Sequence, residues 1–168
     1  LSGAGDITYP SLASKEYPMT FEEIGQGLVR GKERIVTMRS GVYGWPGDRG
    51  LHRVYKFDSR GGEAPHSLFS TIDKSGVRTE LELGAQESAV IERLPAVLEA
   101  ASPVNGLVTM YGTRGLRVLL NGRGKATLRL RNGVFPVKPG AAYHIQGSIK
   151  KLIRADRAGV LSIPLVLN

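Results

Sequence analysis

The residues best equipped for chemistry lie in one stretch, Ser40-Gly-Val-Tyr-Gly-Trp-Pro-Gly-Asp-Arg-Gly-Leu-His-Arg-Val-Tyr55. It holds the only tryptophan, Trp45, together with Tyr43, Tyr55, His52, Asp48, Arg49 and Arg53. Flat rings can stack on a ligand while the charged groups beside them hydrogen-bond its polar substituents. Glycines at 41, 44, 47 and 50, with Pro46, exclude a long helix and predict a tight, exposed connection between two strands. On a loop of that kind, Tyr43, Trp45, Asp48, Arg49, His52 and Arg53 form the candidate contact site. The same residues also fit a tryptophan that caps the end of a core.

Other constellations are weaker. His52, His66 and His144 share no metal-site spacing, and no metal or cofactor is expected. No Gly-x-Ser-x-Gly element supports a hydrolase nucleophile. Glu22, Glu23, Asp48, Asp58 and Glu63 could in principle pair for acid–base work, but Glu22 and Glu23 are better explained by a helix start. Asp58 and Asp73 read as turn residues. Gly112-Thr-Arg-Gly115 and Asn121-Gly-Arg-Gly124 could hold an anion, yet neither opens a helix, and both fit hairpin turns. Lys125, Thr127, Arg129 and Arg131 share one face of a strand; without stacking aromatics that face reads as a solvated sheet surface.

Strands must position these groups. Period-two alternation runs through Arg34 to Arg39, Leu51 to Phe57, Gly76 to Leu83 and Lys125 to Arg131, and Leu107 to Tyr111 and Leu116 to Leu120 flank Gly112-Thr-Arg-Gly115. Ser67 to Ile72, Ala142 to Ile145, Lys151 to Arg154 and Val160 to Leu167 complete the set. Asp73-Lys-Ser-Gly76 predicts a hairpin loop, and Asn132-Gly133 predicts another, leading to a strand over 134–137. Residues 85–101 fit a helix or a strand; the strand neighbours favour Ser88 to Leu94 as a strand, with Pro95 at an edge or exit. Residues 1–19 read as an extended arm, held by two Tyr-Pro pairs. Thr20-Phe-Glu-Glu23 is a capping box that fits at most one short helix, ended by Gly25 and Gly27, or a surface turn.

A length of 168 residues suits one core, with an arm over 1–32 and a domain over 33–168. Ten to twelve short strands with scattered glycine and proline predict an all-β, antiparallel sandwich of jelly-roll or immunoglobulin-like type. The net charge of +8 invites a polyanion, although Lys and Arg are spread along the chain rather than gathered in runs. The chain has no cysteine, which excludes disulfides and thiolate sites. No apolar span long enough for a membrane helix occurs, so no membrane partner is expected. The chain opens on Leu1 rather than Met, which points to an excised piece of a longer protein.

Three segments of the closing third carry a resemblance. They are Leu120 to Leu130, Val137-Lys-Pro-Gly-Ala-Ala-Tyr-His-Ile145 and Ala155-Asp-Arg-Ala-Gly-Val-Leu-Ser-Ile-Pro-Leu165. Their Pro-Gly-x-x-Tyr and Asp-x-x-Gly-x-Leu-x-Ile turns resemble the end of an accessory β-sandwich domain of carbohydrate-active enzymes, over residues 105–168 alone. The resemblance implies a non-catalytic module that contacts glycan or acidic polysaccharide, or supports a catalytic domain of the same parent protein, in an extracellular or periplasmic setting. Nucleic acid is not expected. One alternative is a β-sandwich hydrolase or lyase on an acidic polysaccharide, with His52 or His66 as base and Arg53 or Arg114 neutralising a carboxylate. Another is an assembly protein whose N-terminal arm pairs with a neighbouring subunit.

Overall fold

The computed structural model describes residues 21–25, 27–58, 69–147 and 150–168. Within them the chain is all-β and antiparallel, without a helix. The first half holds β1 (Phe21–Gly25), β2 (Leu28–Gly31), β3 (Arg34–Thr37), β4 (Gly41–Tyr43), β5 (Gly50–Phe57), β6 (Ser70–Asp73) and β7 (Gly76–Leu81). The second holds β8 (Ser88–Ala100), β9 (Val104–Gly112), β10 (Gly115–Asn121), β11 (Gly124–Arg131), β12 (Ala142–Ile145), β13 (Lys151–Arg154) and β14 (Val160–Leu167). One sheet runs β1-β2-β3-β8-β11-β14 with β5 also on β8; the second runs β10-β9-β6-β7-β4; β12 and β13 form a third.

The chain divides into two compact units, and β5, β7 and β8 contribute residues to both. The first unit comprises residues up to Tyr43, with Val54–Leu68 and Glu80–Arg93. In it β2 pairs with β3, and β3 pairs with residues 89–92 of β8. Ile35, Ala89 and Ile91 alternate inward and are fully buried. The β2–β3 pairing spans residue 32, the division between arm and sandwich drawn from sequence.

The second unit comprises Gly44–Arg53, Phe69–Thr79 and Leu94–Asn168. It is a sandwich in its own right. Alternate residues of β8 (Leu94, Ala96, Leu98), β11 (Ala126, Leu128, Leu130) and β14 (Leu161, Ile163) pack against Ile72, Val77, Val104, Val108 and Tyr111 from β6, β7 and β9. Each fully buried aliphatic side chain contributes about 1.5–3 kcal/mol, so this shared core supplies the main drive for closing the two layers. Its register is strict: β11 pairs residue for residue with β14 from Gly124↔Leu167 to Arg131↔Val160. A slip of one would turn every core leucine outward.

Four local expectations are corrected. Residues 21–25 form a strand paired with β2, not a helical turn, because a sheet partner outweighs the weak preference of a capping box. Pro95 lies inside β8 rather than at its exit; it falls between the stretch that pairs with β3 and the stretch that pairs with β11, where its missing N–H breaks neither of those ladders. Asn132-Gly133 makes no two-residue hairpin. A type I′ turn needs positive φ at both positions, and neither residue has it. Instead the Val137 N–H donates to Asn132 Oδ1 at 3.0 Å, and 134–137 is not a strand. Asn121-Gly-Arg-Gly124 is no hairpin either, since it carries the chain from β10 in one sheet to β11 in the other. The 73–76 hairpin does form, with Asp73 opposite Gly76. Residues 1–20 of the arm, His66, Glu63 and the turn after Asp58 lie outside the described residues.

Candidate functional site

The stretch singled out in the sequence is built around a tight turn. Pro46 and Gly47 sit at its two central positions, Gly47 has φ of 74°, and the Asp48 N–H donates to the Trp45 carbonyl at 3.0 Å. That is the geometry of a type II turn. Just before it, Gly44 lies against β7 so closely that a Cβ would meet the Val77 carbonyl oxygen at 2.6 Å. This close approach draws Trp45 inward. Trp45 is only 8% exposed and meets the His52 ring edge-on, with centroids 5.4 Å apart.

His52 in turn anchors a buried polar chain. Its Nδ1 lies 2.8 Å from Thr79 Oγ1, and Thr79 Oγ1 lies 2.7 Å from Ser70 Oγ. All three residues are buried, with His52 at 3%. Ser70 and Thr79 are direct cross-strand partners on β6 and β7, so the chain ties β5 to that pair. Satisfied in this way, the buried polar groups escape a penalty of about 1–3 kcal/mol each. The turn closes with Asp48 Oδ1 accepting from the Gly50 N–H at 2.8 Å. Arg53 reaches the other way, its Nη1 donating to the Tyr111 carbonyl.

Tyr43 belongs to the first unit and does a separate task. It is 6% exposed, its hydroxyl donates to the Arg39 carbonyl, and it lies 2.8 Å from Thr37 Oγ1. The Arg39 N–H donates to the same threonine oxygen, so Tyr43 and Thr37 together close the chain after β3.

Of the six candidate residues, then, Tyr43, Trp45 and His52 are buried, while Asp48, Arg49 and Arg53 are half-buried. The exposed aromatic surface expected here is corrected: Trp45 and His52 pack inward where Gly44 and the 45–48 turn hold them onto the strands, and Tyr43 is buried against Thr37 and Arg39. A buried His52 bonded to Thr79 is not placed as a general base facing solvent. Elsewhere Tyr55 and Phe57, alternate residues of β5, stack at 6.4 Å and are half-buried.

Arg49 differs from its neighbours. Its Nε is buried and makes no hydrogen bond among the described residues. Arg49 also acts on Glu99, whose carboxyl is held below the usual range first by its hydrogen bond from Arg129, with Arg49 adding a weaker field. The Arg129–Glu99 contact is 2.6 Å, on an exposed face. There β11 turns Lys125, Thr127, Arg129 and Arg131 outward while Ala126, Leu128 and Leu130 enter the core. Lys125 and Arg131 are exposed and make no ion pair among the described residues.

The remaining perturbed carboxylates support turns. Asp73 is held far below the ordinary range by hydrogen bonds from Arg78 and then Ser75 at the β6–β7 hairpin. Glu87 is lowered first by the Gly84 N–H it accepts, with Lys56 assisting at 3.4 Å. Among the described residues no three His, Asp or Glu side chains gather as a metal site, and no helix is long and apolar enough to cross a membrane. No family model, curated protein or solved structure matches the chain.

Proposed function

We propose that the chain is a non-catalytic β-sandwich module of a carbohydrate-active protein, working outside the cytoplasm by contacting glycan beside a catalytic domain. The observation that carries this reading is the internal commitment of the candidate stretch. Arg49 apart, the candidate side chains with acid–base or anion-binding capacity, Tyr43, Asp48, His52 and Arg53, each bond to the protein's own backbone or hydroxyls. They hold strands together rather than converge on a reacting atom.

The turns that carry the resemblance support the same reading. Tyr143 Oη accepts from the Lys138 N–H at 2.8 Å and donates to the Pro136 carbonyl at 3.0 Å, bracing the Pro-Gly turn before β12. Asp156 Oδ1 accepts from the Ala158 and Val160 N–H groups, shaping the entry to β14. Both side chains serve structure rather than chemistry.

The test is affinity electrophoresis of the chain through neutral and acidic polysaccharides, with product analysis on the same polymers. Retardation without new chain ends is expected. Retardation by none of them, or release of shortened products, would overturn the reading.

A further inference from the structure

We infer that the outward face of β11, with its neighbour β14, is a docking strip for a carboxylated polysaccharide. Lys125, Arg129 and Arg131 bind its carboxylates, and Thr127 and Ser162 meet its hydroxyls. This rests on the glycan-contact reading above and assigns it a place and a ligand class.

The strip follows from strand geometry. Alternate residues of β11 stand about 7 Å apart, so the cations span roughly 20 Å in a straight line. Register places Lys125 opposite Val166, Thr127 opposite Pro164, Arg129 opposite Ser162 and Arg131 opposite Val160. A cationic rail therefore runs beside a low rail of small and apolar groups, and Val166 is 61% exposed. A carboxylated sugar chain has the matching character, with anionic groups repeated along apolar ring faces and hydroxyls between them.

Charge alone would also suit a nucleic acid. The outward residues of β11 and β14 include no aromatic ring, however, so unpaired bases would find no platform to stack on. Glu99 is the carboxylate already seated on this face, paired with Arg129. It occupies a position that a ligand carboxylate would take, and Arg49 beside it helps to keep it ionised.

Binding is measured with the folded chain at low salt, using polygalacturonate, neutral dextran and a single-stranded oligonucleotide as probes. Polygalacturonate is expected to bind, to weaken as salt rises, and to lose roughly tenfold in affinity in the combined Lys125→Ala, Arg129→Ala, Arg131→Ala variant. Glu99→Gln, a milder change on the same face, is expected to tighten binding by about twofold because it removes the internal competitor for Arg129. Circular dichroism checks that both variants keep the parent's strand signal, and Glu99→Gln alone decides the matter if the triple variant unfolds. Polygalacturonate or dextran binding that neither variant alters sinks the strip and leaves the module reading standing. Binding to neither polymer sinks both. Tighter binding to the oligonucleotide than to polygalacturonate overturns the ligand class.

Discussion

Residues 45–53 contain a tryptophan, a histidine, an aspartate and two arginines, and β11 contains a lysine, a threonine and two arginines. In the first region Trp45 and His52 are buried, and Asp48, His52 and Arg53 bond internally. In the second, every polar side chain points away from the core. Residue type does not separate them; backbone geometry does. A type II turn and a glycine pressed against Val77 fold the first region onto its own strands. Strict alternation on a strand paired along both sides leaves the second region's charges nowhere to go but outward. The residues that look most like a site hold the fold, and the plain-looking strand keeps its charged side chains on the surface.

Substitutions that remove interior support from the first region should break this contrast most visibly. Trp45→Ala is expected to cost about 3–5 kcal/mol, read as a lower urea midpoint, because it empties a buried site beside His52. Its folded fraction should bind polygalacturonate as the parent does. Unchanged stability with lost binding would reverse the roles given to the two regions. Thr79→Val keeps the volume but strips the hydroxyl between His52 Nδ1 and Ser70 Oγ, for an expected loss of about 1–3 kcal/mol in the same measurement. A midpoint equal to the parent's would show that the polar chain contributes nothing.

The smallest effect is on acid stability. Asp73, Glu87 and Glu99 all have carboxyl groups held below their ordinary values, Asp73 and Glu99 chiefly by hydrogen bonds from arginine and Glu87 by a backbone N–H. Lowered folded values mean that their contribution is fully present above about pH 5, where the unfolded carboxyls are ionised, and is lost as pH falls through the folded values. Asp73→Asn should flatten the acid limb of the stability curve while leaving neutral-pH binding intact. An acid limb identical to the parent's would remove Asp73 from the account.

Much of the architecture was legible because it is local. Arg78, Glu80 and Thr79, Leu81 alternate on β7, Lys125 to Arg131 alternate on β11, and Asp73 to Gly76 turn as their residue types require. Each of these patterns needs only neighbours two to four residues away. What failed needed distant partners. Residues 21–25 became a strand through β2, and Pro95 was accepted inside β8 because its two flanks pair with different strands. Asn132-Gly133 gave up its hairpin, with Asn132 bonded to Val137 instead.

The candidate site shows the same division more sharply. Sequence could place Trp45, Arg49 and His52 on one glycine-rich connection, since chain proximity guarantees it. It could not say whether the rings faced water, because that depends on Val77 and Thr79, some thirty residues away. By itself, then, the sequence determined the alternating strands such as β7 and β11, their inward and outward faces and the basic stripe, all set by a two-residue period. Tertiary structure alone decided which polar groups were consumed inside and which stayed open, because burial is a property of the partners a strand meets.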